Sequence, residues 1–211
     1  MQLTRSDLDG LNRIYRLNLI NSITGIKPAN LIGTRSSDGK ENLAIFSSIV
    51  HLGSNPPLIG FISRPVGEVD RHTIENIEKT GIYTINHVPS GLQAQAHYTS
   101  AKFEREQSEF DFCGFTPEYN QDFEAPFVKE SVIKIGVQLR DQIPIPLNGT
   151  ILFVGEIQQI LVPDEVVSDE GYVNLDKAGS AGISGLNSYY DLSFQSTFPY
   201  ARVKELPEWG E

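Results

Sequence analysis

The dipeptide Asp38-Gly39 separates two β-prone runs in LIGTRSSDGKENLAIFSSIVHLG, and it constrains the fold more than any other local feature. Both residues tolerate positive φ, so the flanking runs are expected to fold back on each other as an antiparallel hairpin. Asn55-Pro56-Pro57 cannot continue a ladder, because proline has no N–H to donate, and LIGFIS after it reads as a third strand. IYTINHV alternates as another. Two long runs follow, SVIKIGVQLRD and GTILFVGEIQQILV, joined by IPIPLNG, whose prolines and Asn148-Gly149 read as a loop. The expectation is a mainly β, antiparallel protein in which those long strands close the sheet on itself.

Helical signals are short. Ser6 followed by Asp9 resembles a capping box, and Leu8, Leu11 and Tyr15 recur at helical spacing, predicting one N-terminal helix packed on the sheet. In EVDRHTIENIEKTG, Asp70 or Thr73 can cap, Ile74 and Ile77 share a face, and Gly81 supplies the stop. SGLQAQAHYTS suits another short helix, while KFEREQSEFDFCGF sets no clear boundary. A chain of 211 residues with no linker or repeat fits one domain, with the barrel over roughly 20–163 and an ordered tail over 164–211.

Charge and composition remove several function classes. A net charge of -10 with only 17 unclustered cations argues against nucleic-acid binding, which needs grouped Lys and Arg to neutralise phosphates. Acids and polar residues interrupt every apolar run of the N-terminus, so no signal core or membrane span is expected, and the cytoplasm is the default location. Cys113 is the one cysteine, which excludes an internal disulfide. His51, His87 and His97 share no metal-ligand spacing, and no nucleophile elbow surrounds Ser47 or Ser48.

One stretch, residues 42–76, concentrates groups suited to a phosphorylated planar ligand. Such a ligand needs backbone N–H groups, hydroxyls and a cation for its phosphate, and an apolar slot for its ring. Ser47 and Ser48 end the run Asn42-Leu43-Ala44-Ile45-Phe46, and a bulge or strand end there could expose both hydroxyls. Arg71, His72 and Thr73 occupy a first helical turn beside its unpaired N–H groups. An arginine there is mildly unfavourable to the helix dipole unless an anion is present. Taken alone, the serines read more often as ordinary strand-end hydrogen bonding, and the arginine can simply be part of a solvated turn.

In order, NLAIFSS, NPPLIGFISRP and HTIENI resemble the core of the flavin reductase-like family over roughly residues 15 to 160. The resemblance implies an FMN-binding split β-barrel of antiparallel Greek-key type. It implies Asn42, Phe46, Ser47 and Ser48 beside the flavin, and Arg64, Arg71, His72, Thr73 and Asn76 near its phosphate or ribityl chain. It also implies an oxidoreductase that moves electrons from NADH or NADPH to flavin, or through bound FMN to an acceptor such as a partner monooxygenase. The flavin carries that chemistry, so no protein acid or nucleophile is required. A homodimer with the flavin near the subunit interface is implied as well. Two segments depart from the family pattern, since Gly25-Ile26-Lys27-Pro28-Ala29-Asn30 replaces a Pro-Arg-Pro and Gly182-Ile183-Ser184-Gly185 replaces an Arg-Leu-Gly-Gly turn. Neither contributes site residues here. A non-catalytic barrel that binds a flavin or haem remains the alternative, and the aromatics of the tail, Tyr189 to Tyr200, fit either a ligand mouth, a partner or the barrel wall.

Overall fold

The computed structural model describes residues 1–65, 71–120 and 122–207. Two helices open the chain, α1 (Arg5–Gly10) and α2 (Arg13–Ser22). The capping box is Thr4 with Asp7, whose carboxylate accepts from the Thr4 N–H at 2.7 Å, and not Ser6 with Asp9. Asn12 starts the second helix by accepting from the Ile14 N–H at 2.9 Å, so the expected single helix is divided near Gly10. Neither helix buries a residue, so the predicted packing on the sheet is not observed.

The strands β1 (Lys27–Pro28), β2 (Asn30–Arg35), β3 (Glu41–Phe46), β4 (Val50–Ser54) and β5 (Pro57–Ser63) follow. Asp38-Gly39 makes the predicted turn: the Ser36 N–H reaches the Lys40 carbonyl at 2.8 Å, and β2 pairs β3 in register. The second β-prone run is not one strand but two, because the chain breaks direction over residues 47–49. Next come α3 (His72–Thr80), β6 (Ile82–His87), α4 (Gln93–Tyr98), α5 (Glu109–Cys113), β7 (Pro117–Asn120), β8 (Phe123–Val128), β9 (Lys134–Ile145) and β10 (Thr150–Leu161). Pro144 lies inside β9, facing Ile151, and not in the loop that the prolines predict. That end of β9 runs beyond its pairing with β6, and proline is tolerated on such an edge. The segment after 163, expected as a tail, adds β11 (Ala181–Ser184) and β12 (Ser188–Asp191), which pair with each other and with β1.

Seven strands form one sheet in the order β3-β2-β6-β9-β10-β5-β4. Its two edges, β3 and β4, are consecutive in the chain and joined by residues 47–49 alone. Three residues reach at most about 3.6 Å each, so the edges must meet and the sheet must curl into a barrel. No ladder joins β3 to β4, and the barrel is split along that seam.

Ile32, Phe61, Tyr83, Ile85, Val137 and Phe153 fill the interior, and Ile74 and Ile77 of α3 plug into it. Phe61 is central: it stacks on Phe153 at 5.0 Å and meets Tyr83 edge-on at 5.6 Å. A second cluster, with Leu31, Leu43, Phe110 and Ile183, buries the other face of β2 and β3 under α5 and β11. This explains why β2 is buried almost throughout. The β7–β8 hairpin, which no local sequence pattern announces, lies against β2 and β6: Thr84 Oγ1 donates to the Pro126 carbonyl at 2.6 Å. No helix among the described residues is long and apolar enough to cross a membrane.

Candidate functional site

The predicted residues lie on β3 and the seam, just after β5 and on α3, where a hydrogen bond joins Asn42 to Thr73 and the charge of Arg64 acts on Arg71. α3 keeps Ile74 and Ile77 inward, and Gly81 ends it at φ +73° with its N–H on the Ile77 carbonyl, as the sequence predicts. Its N-cap position is Arg71, with no side-chain cap; Asp70 lies outside the described residues. Thr73 does not cap. Its hydroxyl accepts from Asn42 Nδ2 at 2.9 Å, while Asn76 Nδ2 donates to Thr34 Oγ1 at 3.1 Å. Thr34 and Asn42 face each other across the β2–β3 ladder. Two buried amide–hydroxyl bonds therefore fasten α3 to the hairpin, and the Arg105–Glu75 ion pair ties it to the loop before α5. Thr34 was absent from the predicted set, though counting residues back from Asp38-Gly39 places it opposite Asn42.

The two serines differ. Ser48 Oγ donates to the Ile62 carbonyl and accepts from the Ile62 N–H, both at 3.1 Å, clasping the seam onto β5. Ser47 is half-buried and makes no side-chain hydrogen bond among the described residues. Phe46 lines the rim of the interior, edge-on to Phe61 at 5.1 Å.

Arg64 and Arg71 supply the charge. Arg71 donates to the Pro65 carbonyl at 2.8 Å, and its Nε is buried with no hydrogen-bond partner. Partial burial, and then the positive charge of Arg64, hold its guanidinium below the ordinary arginine range. Neither arginine forms an ion pair with a carboxylate among the described residues. Two neighbouring cations with no ion-pair partner among the described residues are stabilised by any anion that enters. His72 sits half-buried next to them at the helix start. Asn76 Oδ1 is likewise buried without a partner.

These groups suit a phosphorylated ligand. The unmatched Arg71 Nε, the neighbouring charge of Arg64 and the first-turn N–H groups of α3 suit a phosphate, and the Ser47 hydroxyl is unengaged among the described residues. Asn42, Ser48 and Thr73 are already engaged in holding the scaffold, and they fix the positions of the others.

Glu109 was missed in the sequence. It is 6% exposed, accepts from the Leu43 N–H at 2.9 Å, and so covers the outer edge of β3. Burial raises its pKa, against the lowering effect of its backbone hydrogen bonds. Its position in a Phe-rich stretch gives no sign of this. Two concave surfaces lie elsewhere: a groove of about 830 Å³ formed by residues from 165–177 and 192–200, and a pocket of about 470 Å³ at the Asp38-Gly39 turn. None of the nine predicted residues lines either one.

A model of the flavin reductase like domain matches residues 26–178. A protein with a split barrel domain from Shewanella frigidimarina NCIMB 400 is 45% identical, with a TM-score of 0.91 over 95% of this chain and 100% of its own. Component B of nitrilotriacetate monooxygenase from Bacillus cereus shares the fold at 18% identity, TM-score 0.81, over 94% and 98%. An uncharacterised protein of Aquifex aeolicus is 27% identical over 92% of this chain and 96% of its own.

Proposed function

The chain belongs to the flavin reductase-like domain family, and from that premise we propose that it is an FMN-binding oxidoreductase fed by NADH or NADPH. The observation that carries the FMN reading is Arg71 at the start of α3, with its Nε buried and unmatched and the positive charge of Arg64 beside it.

In this reading the arginines and the N–H groups of the first α3 turn hold the phosphate, with His72 beside them. The Ser47 hydroxyl and Asn76 Oδ1 are the remaining groups able to bond the ribityl chain or phosphate. Phe46 and the β3 edge form the apolar wall for the ring. Asn42, Thr73 and Ser48 act one step back, keeping helix and seam in register. FMN, when bound, supplies the transfer of a hydride equivalent from nicotinamide and of electrons onward. The working unit we propose is a homodimer.

Titration of the purified protein with FMN, followed by flavin fluorescence, tests the binding. Saturable quenching, with phosphate-free riboflavin binding more weakly, supports it; no quenching overturns it. Anaerobic addition of NADH and NADPH then tests turnover, since bleaching of the oxidised flavin's visible absorbance reports reduction.

A further inference from the structure

α2 stands apart from the body of the protein. None of its residues is buried, and Ile14, Tyr15, Leu17 and Ile20 expose between 37% and 56% of their surfaces. A ten-residue helix is marginal in water by itself, and one with apolar side chains on most sides is normally enclosed. Its ties to the chain are few, including Lys27 Nζ on the Asn21 carbonyl and Ser184 Oγ on the Ser22 carbonyl. Residues 23–26, with Gly25 at φ +82°, form the short link to β1.

Its charge is one-sided. α2 carries Arg13 and Arg16 and no acid. Arg16 is used within the chain, donating to the Leu8 and Asp9 carbonyls, whereas Arg13 has no ion-pair partner among the described residues.

The groove of about 830 Å³ is its complement. Val166, Tyr172, Phe194 and Phe198 give it an apolar and aromatic lining, and Tyr172, Phe194 and Phe198 are themselves more than half exposed. Glu165, Glu170 and Asp176 line it too, against Lys177 as its single cation.

We propose that α2 of each subunit seats in the groove of the other, so that the two subunits exchange N-terminal helices about a twofold axis. This is helix-in-groove recognition, with apolar anchors seated in the groove and Arg13 meeting its acids. Twofold symmetry uses each contact twice, which helps two modest patches reach the roughly 800 Å² per partner that a stable interface buries. The inference rests on the homodimer proposed above and specifies its contact.

Sedimentation of the full-length chain tests both, with circular dichroism to confirm that each variant is folded. The wild type should be dimeric. Arg13→Glu should raise the dimer dissociation constant by about tenfold or more, and Leu17→Asp should leave monomers. Adding Glu165→Lys and Glu170→Lys to Arg13→Glu should restore the constant to within about threefold of wild type. A dimer indifferent to Arg13→Glu and Leu17→Asp overturns this contact and leaves the homodimer standing. Weakening without rescue by the reversed acids shows α2 at an interface other than the groove, and overturns the exchange. A monomeric wild type overturns both.

Discussion

Asn42 on β3 and Thr73 on α3 share a buried hydrogen bond of 2.9 Å, linking a strand at the seam to a helix that plugs the barrel. Replacing Thr73 with valine keeps the shape and leaves the Asn42 amide without its acceptor. The cost should be about 1–3 kcal/mol in urea unfolding, and Thr73→Ser should recover most of it. A Val variant as stable as wild type would show that Asn42 finds another partner.

Arg64→Ala combined with Arg71→Ala should weaken FMN by about 2–4 kcal/mol, the worth of two charge-assisted contacts to a phosphate, and should leave riboflavin nearly unchanged. Equal loss for both ligands would move the arginines away from the phosphate.

Burial raises the pKa of Glu109, so the folded state holds its proton more tightly than the unfolded chain does. Stability from this group is therefore fully present at pH values below the ordinary glutamate pKa and falls as pH rises through the raised one. Glu109→Gln removes the ionisation, so the variant should gain on wild type as pH is raised from about 4 to 8. A pH-independent difference in unfolding free energy would contradict this.

His87 shows the opposite slope. It is half-buried, with Nδ1 3.1 Å from Ser180 Oγ, and that burial pushes its pKa down to about 4. Protonation then favours the unfolded chain, so stability is complete above about pH 6.5 and is lost as pH falls towards 4, by up to about 3 kcal/mol. His87→Gln should flatten that acid limb in urea titrations at successive pH values.

A Cβ on Gly33 would lie 2.2 Å from the Pro126 carbonyl oxygen and 2.6 Å from Thr84 Oγ1. Gly33→Ala must push the β7–β8 hairpin off β2, at a cost of about 1–3 kcal/mol or more in thermal or urea unfolding.

Much of the fold was legible where local chemistry dictates it: the Asp38-Gly39 hairpin, α3 with its Gly81 stop, and the long β9–β10 pair. The unread parts depend on distant partners. β1 pairs with β11, far along the chain, and β8 is shaped by Thr84, Asn86 and Gly33 rather than by its own periodicity. The break over Ser47–Ile49 is hidden inside a continuous β-prone run, because it is set by the need to join opposite sheet edges. At the site, the anomaly of Arg71 at a helix start was readable from the dipole. The engagement of Ser48 with Ile62 was not, since nothing near Ser48 in sequence names its partner.

The seam is held by a covalent bridge of three residues and the Ser48–Ile62 clasp, with no ladder between β3 and β4. Among the described residues, parting the seam would therefore break the Ser48–Ile62 clasp and no pair of strands.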